Sequence, residues 1–498
     1  VRAPDRGYVD TGYASFRTNQ SARSRMLYVG ANDGMLHAFN AKTGAEEWAY
    51  VPYGAFPRLS ALASTSTDYQ ATVDGYLTVA DVDFSNAFTK GGTSSDWRTL
   101  LVGSLGRGGK GIHALDVTDP SAANETAVAA KVLWEFPNKD TPADVVKNIG
   151  FVFSRPIIIK HEQTTFSTDA SGEEVATRSG EGWVVLVSSG YNNGDGGDGK
   201  GYLFMLDAKT GKLLKTLSTG VGSSSDPSGL GQLSAWADND NISSTMRWVY
   251  GGDLKGNLWR FDPYTDAVTL LASLKDGSGN AQPISSAPEL TRIKSAGVDY
   301  NLVAVGTGRY LGDSDIPDMA GSSSSAIQTQ SMYVIADSIG SAGFTTITRA
   351  NLTKRTLTSL SNGKRALDSP AALDWSKTKG WYVDLNIRGE RVDTDPAIAQ
   401  TTLVFATNVP NSDPCIPGGS SHLFTLDLVT GSYVVGENYV GESLGKALAN
   451  RPVLIKLPNG KIVALIRKSD GSTESREVAT TPSGGQMRRL SWRELNYR

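Results

Sequence analysis

The 498-residue sequence predicts an all-β fold, a β-propeller of four-stranded antiparallel blades, from three observations. One hairpin phrase recurs six times, apolar runs before and after the copies supply two further strands each, and capped helical periodicity is scarce. The phrase is an apolar run ending in Gly, a Gly/Asn/Asp turn, a second short apolar run ending in Asp or Asn, and often Thr-Gly shortly after. Such a pattern is a hairpin followed by a turn, and four strands per repeat make a propeller blade.

The first clear copy is Leu27-Tyr28-Val29-Gly30, the turn Asn32-Asp33-Gly34, then Leu36 to Asn40 with Thr43-Gly44. Another runs from Val184-Val185-Leu186-Val187 to Tyr202 through Asp207, with Thr210-Gly211, and the others end at Asp116, Asp262, Asp337 and Asp427. Flanking strands are legible as Val132 to Phe136, Leu213 to Leu217 and Pro156 to Lys160. Copies lie roughly 55 to 90 residues apart, longer than the ~40 to 50 of common blades, so loops are inserted between strands. The Ser/Gly/Asp/Thr-rich stretches Gln163 to Glu181, Tyr191 to Lys200 and Gly312 to Gln330 are the expected insertions. Deleting Gly312 to Gln330 is expected to leave the fold intact. The last segment, Pro452 to Leu457 and Ile462 to Arg467, offers strands without a complete blade, and the first copy lacks a preceding strand. Pairing the two ends would close the ring and remove both sheet edges, so a single propeller over residues 1–498, most simply of seven blades, is expected.

Composition narrows the function. With 39% apolar and 20% charged residues and a formal net charge of −3, the chain is globular and carries no basic run suited to nucleic acid. No stretch approaches the roughly 18 consecutive apolar residues of a membrane-spanning helix. The chain starts at Val1 without a signal sequence, as a fragment of a longer protein would. One cysteine, Cys415, permits neither an internal disulfide nor a cysteine-based zinc site, and its turn-forming neighbours make it an ordinary loop residue.

Catalytic motifs resolve into structural ones. Gly106-Arg107-Gly108-Gly109-Lys110-Gly111 matches a dinucleotide fingerprint after Leu100 to Gly103, but the residues after it, Ile112 to Asp116, read as a strand where a helix is needed. Asp198-Gly199-Lys200-Gly201 lacks the Ser or Thr and the helix of a phosphate loop. His37 and His113 occupy the same blade position, and with His161 and His422 they form no metal-binding pair. The strand-end acids Asp116, Asp207, Asp262 and Asp427 are expected to close turns, and Trp48, Trp134 and Trp259 to pack between blades. No residues are assigned to catalysis.

Several phrases in one order along the chain carry a family resemblance: Leu27 to Phe39, Ser188-Ser189-Gly190-Tyr191-Asn192-Asn193, Gly252 to Asp262, Val305 to Leu311, Gly380 to Leu385 and Ser491-Trp492-Arg493-Glu494-Leu495. Together they resemble the C-terminal propeller of the type IV pilus tip-associated adhesin and assembly proteins of the PilC/PilY type. The resemblance implies a place at the pilus tip or outer membrane of a Gram-negative bacterium. It also implies roles in pilus assembly, the balance of extension and retraction, twitching motility and adhesion. Minor pilins and the secretin complex are the implied partners, with a host or abiotic surface beyond them. The von Willebrand factor A-like region usual in such proteins is not in this sequence. Arg388-Gly389-Glu390 stands nearest to the Arg-Gly-Asp tripeptide of some relatives.

The same resemblance implies a calcium loop before the Gly-Asp-Leu-x-Gly-Asn phrase. Here Asp238 and Asp240 take its third and fifth positions and Ile242 offers the seventh-position carbonyl, while Trp236 and Ser244 fall at the first and ninth. Ca²⁺ takes six to eight oxygens, so this set is short of charge and ligands. Two readings stand: Ca²⁺ held by Asp238, Asp240 and Ile242, or a solvated turn whose Asp and Asn side chains bond their own backbone. Two other functions compete with the pilus reading, a pyrroloquinoline quinone dehydrogenase and an outer-membrane assembly scaffold. The first typically needs an adjacent cysteine pair, which a single cysteine cannot supply; the second lacks the long inserted loops.

Overall fold

The computed structural model of the chain describes residues 1–480 and 488–489, apart from 63, 65–69, 87–92, 169–173, 318, 320–325, 369 and 414–417. Cys415 and the Ser491 to Leu495 phrase lie outside the described residues.

Apolar runs punctuated by Gly, Asn and Asp fold here into hairpins, and the hairpins join into seven sheets among the described residues. The first holds three strands, Met26–Gly30, Leu36–Asn40 and Glu46–Tyr50. Four strands each build the second (Leu77–Asp83, Trp97–Ser104, Ile112–Asp116, Val132–Phe136) and the third (Ile157–Thr168, Glu174–Ser188, Tyr202–Asp207, Leu213–Ser218). The fourth is likewise four-stranded: Leu233–Ala237, Met246–Gly252, Asn257–Asp262 and Ala267–Ser273. In all three, neighbours in sequence are neighbours in the sheet, the meander of a blade.

Inserted residues widen the next two sheets. The fifth pairs Glu289–Ser295, Val298–Gly306, Ser331–Ala336 and Gly380–Asp384, then adds Thr353–Arg355 in parallel along Gly380–Asp384 and a short Arg488–Arg489 strand at its other edge. The sixth pairs Ala397–Ala399, Thr402–Pro410, Gly419–Asp427 and Gly441–Gly445, and gains Arg365–Leu367 and Leu357–Ser359. Covering a blade edge this way removes a row of unpaired N–H and C=O groups. The last sheet has three strands, Val453–Lys456, Ile462–Arg467 and Thr473–Val478. The helices are short, such as Tyr13–Asn19 and Phe56–Leu62, and among the described residues none is long and apolar enough to cross a membrane.

Two compact units divide the chain: residues 1–249 with 261–268, and residues 250–260 with 269–498. In the first unit Val184, Val185, Leu186 and Val187 are all at most 2% exposed, because both faces of their strand are covered. Four consecutive buried residues explain why the blade strands read as unbroken apolar runs where a half-solvated strand alternates. Trp134 packs with Phe204, Leu206 and Ala208 of the third sheet, and Trp48 with Leu101 and Leu115 of the second, as expected of wedges between blades. Trp259 differs, satisfying its indole inside its own hairpin by donating to Asp253 at 2.9 Å. In the second unit, Trp381, Phe405 and Phe424 centre the corresponding core.

The strand-end acids close turns. Asp207 Oδ1 accepts from Thr210 N (2.7 Å) and Oγ1 (2.6 Å), and Asp427 Oδ1 from the same atoms of Thr430, both at 2.8 Å. Asp116 and Asp262 accept from the backbone N–H two residues on.

Two expected insertions do fall between the apolar strand runs, and the structure shows how their described residues are held. The described residues of Gln163 to Glu181 continue the hairpin of the third sheet, with Gln163 opposite Ser179 and Thr168 opposite Glu174, because the Thr, Phe and Val they contain favour strands. Within Gly312 to Gln330, Asp315 is 2% and Ala326 0% exposed, and the buried Arg391 guanidinium donates to their carbonyls at 2.6 Å and 2.9 Å. Deleting the segment would remove two acceptors of the buried Arg391, so against the sequence expectation a deletion should destabilise the fold.

Candidate functional site

Residues 236–248 span the turn between the first two strands of the fourth sheet, Leu233–Ala237 and Met246–Gly252, and both acids there, Asp238 and Asp240, meet a guanidinium. Asp238 Oδ2 lies 2.7 Å from Arg247 Nε, and its Oδ1 accepts from Trp236 Nε1 at 3.2 Å. Asp240 Oδ2 lies 3.2 Å from Arg6 Nη1, which also donates to Asn241 Oδ1 at 2.8 Å. The Ile242 carbonyl accepts the Val9 N–H at 3.1 Å, and Gly7 N–H donates to Asn241 O at 3.0 Å, so residues 6–9 run along the loop as a pairing segment. Burial works against the charge on Arg6, but Tyr8 and Asp240 more than offset it and hold its pKa above the ordinary value. Ser244, at φ +47°, donates its hydroxyl to Asp240 O at 2.9 Å and meets the Tyr8 hydroxyl at 3.0 Å.

Asp238, Asp240 and Ile242 are thus brought together in one loop, engaged by Arg247, Arg6 and Val9. Neither sequence reading anticipated this, since the loop bonds to distant side chains as well as to itself. Arg247 could have been suspected from its place just after the loop; Arg6 lies 234 residues from Asp240 and gave no signal.

Beside the loop opens a groove of about 640 Å³ lined by Val9, Lys160, Arg178, Asp238, Arg247 and Tyr264 among others. At its floor Lys160, 1% exposed, holds Asp10 Oδ1 at 2.7 Å and Glu162 Oε2 at 3.2 Å, and Arg178 Nε reaches Glu162 Oε1 at 2.9 Å. Tyr264 lines the groove, its single hydroxyl proton shared between the Glu162 and Met246 carbonyls at 2.9 and 2.8 Å. The groove is lined by charged side chains of both signs, Asp10, Glu162, Asp238 and Asp262 with Lys160, Arg178 and Arg247.

Elsewhere the motifs keep structural roles. Gly106–Gly108 is a single 3-10 turn leading to the strand Ile112–Asp116, so no helix N-terminus faces a phosphate. Asp253 of the Gly-Asp-Leu-Lys-Gly-Asn phrase is fully buried, accepting from Lys255 N and Asn257 N at 2.9 Å and from Asn257 Nδ2 at 3.0 Å as well as from Trp259. Glu390 of the Arg-Gly-Glu tripeptide is 0% exposed, paired with Arg365 at 2.7 Å and accepting from Thr407 at 2.6 Å, which withdraws it from any external ligand. Among the described residues no cluster of three or more His, Cys, Asp or Glu side chains is placed to hold a metal.

A family model described as the PilY1 beta-propeller domain matches residues 7–270, more than half of the chain. The chain belongs to the PilY1 β-propeller family. It is 32% identical over 510 residues to a type IV pilus biogenesis factor PilY1 homolog of Xylella fastidiosa, covering 97% of this chain and 36% of that protein. The type IV pilus biogenesis factor PilY1 of Pseudomonas aeruginosa strain UCBPP-PA14 is 31% identical over 479 residues, covering 84% of this chain and 37% of its own. The crystal structure of the Pseudomonas aeruginosa PilY1 C-terminal domain superimposes with a TM-score of 0.63 at 26% identity, covering 93% of this chain and 94% of that one. This PilY1-family chain spans little more than a third of the length of its curated relatives.

Proposed function

We propose that this chain is the propeller of a type IV pilus biogenesis factor, acting at the cell surface as a non-catalytic binding module for pilus components. The observation that carries the reading is similarity along the whole domain: 93% of the chain aligns with 94% of the PilY1 C-terminal domain. Support for a binding role comes from where the chemistry sits. Glu390 and His113, which a catalyst would expose, are fully buried, while the groove beside residues 236–248 carries accessible charge of both signs. Rigid sheets holding long connecting segments are the usual platform for recognition. Minor pilins are the partners this reading favours, with contributions to pilus extension, twitching motility and surface attachment following from that contact.

The test is a domain exchange. A PilY1-type protein whose own propeller is replaced by this chain should restore surface pili and twitching in a strain lacking the protein. The purified chain should also bind the soluble domain of a minor pilin in calorimetry. Exported, folded chimera that leaves cells bald, together with a flat calorimetric trace, would remove the proposal.

A further inference from the structure

We infer that two arginines, Arg6 and Arg247, stand where the calcium loop of the family would hold its ion, so that this loop is ordered by ion pairs within the chain and is independent of divalent cations.

Each of the five positions that the loop would offer to a cation is engaged otherwise. The first is Trp236, an N–H donor aimed at Asp238, where an oxygen ligand is needed. The third and fifth, Asp238 and Asp240, each face a guanidinium. The seventh-position carbonyl, of Ile242, is taken by the Val9 N–H, and the ninth, Ser244, turns its hydroxyl toward Asp240 O and Tyr8. Two carboxylates against two guanidinium groups is already neutral. A dication entering the loop would have to displace both arginines, leave them near its own charge, and still find six to eight oxygens. The residues present do not fit calcium.

The substitution has a mechanical consequence. Arg6 belongs to the segment that pairs with the loop through Gly7 and Val9. Arg247 opens the strand Met246–Gly252 and lines the groove. Loop, N-terminal segment and groove wall are therefore joined by backbone hydrogen bonds and by two ion pairs, of which ionic strength weakens the pairs and calcium leaves both kinds untouched.

Hydrogen–deuterium exchange on the intact chain, followed in peptides covering residues 6–9 and 238–246, tests this directly. Exchange should be the same in millimolar calcium chloride and in a calcium chelator, and faster in about 1 M potassium chloride, where the Debye length falls to ~3 Å. Arg6→Ala combined with Arg247→Ala should accelerate loop exchange on the order of fivefold, the scale of two partly exposed ion pairs. Protection of the loop by calcium in the unaltered chain, lost in Asp238→Asn with Asp240→Asn, would overturn the inference without reference to any arginine variant. Unchanged exchange in a folded double-arginine variant would overturn it as well.

Discussion

The indole of Trp134 rests on Gly211: a Cβ built at Gly211 would stand 2.5 Å from Trp134 Cδ2, and the Trp134 Nε1–H donates to the Ala208 carbonyl at 3.0 Å. The second unit repeats the arrangement, with Trp381 against Gly431 and its Nε1–H on Leu428 O at 2.9 Å. In both places the turn after a strand-end Asp seats the tryptophan of the preceding blade. The glycine of the recurring Thr-Gly pair therefore meets two demands at once, a left-handed φ (+68° at Gly211, +61° at Gly431) and a flat surface without a Cβ.

Gly44 separates these demands, since it shares the left-handed φ of +75° but has nothing within 4 Å of its added Cβ. Gly44→Ala should cost only the conformational term of about 1 kcal/mol. Gly211→Ala should cost about 3 kcal/mol or more, because the indole must also move. Urea unfolding of the two variants measures the difference; equal losses would show that the tryptophan seat carries no energy.

Arg391 is 2% exposed and donates to the carbonyls of Arg309, Asp315, Ala326 and Gly389 at 2.6 to 3.0 Å. Arg391→Leu strands four buried acceptors and should destabilise the chain by about 3 kcal/mol or more. Limited proteolysis should then cut within residues 309–330 before any other site. Cleavage elsewhere first would mean the segment is held by other contacts.

Glu390 lies 0% exposed between Arg365 and Thr407. Removing one member of a buried pair leaves the other uncompensated, so Glu390→Gln should lower stability by about 3 to 5 kcal/mol. Attachment through the Arg-Gly-Glu tripeptide predicts instead a stable protein with impaired adhesion. A melting curve beside an attachment assay distinguishes the two.

His37 and His113 share one strand position, yet their surroundings shift their pKa values in opposite directions. His113 is fully buried, neither ring nitrogen has a hydrogen-bond partner among the described residues, and desolvation lowers its pKa to about 4. The unfolded chain then binds the proton more readily, so stability is full above pH ~6.5 and lost as pH falls through about 4, by about 3 kcal/mol in total. His37 is raised, first by its hydrogen bond to Glu46 and, against burial, also by Asp33, so its contribution is present below pH ~6.5 and is lost as pH rises through its folded value. Burial also lowers His161 and His422, so unfolding free energies of His113→Phe across pH 4 to 7 should show a shallower acid slope than the parent; an unchanged slope would assign it to other groups.

The sequence by itself determined what is local. Apolar runs, Asp-Gly turns and strand-end Asp residues specify hairpins because side-chain alternation and backbone φ are settled within a few residues. Repetition of those hairpins specifies blades. The tertiary structure alone decided who faces whom: that Gly211 seats Trp134, that Arg391 gathers a distant segment, and that Asp240 finds Arg6 from 234 residues away. An oxygen-rich loop looks the same in sequence whether a metal or a guanidinium balances it, because charge is neutralised through space and not along the chain.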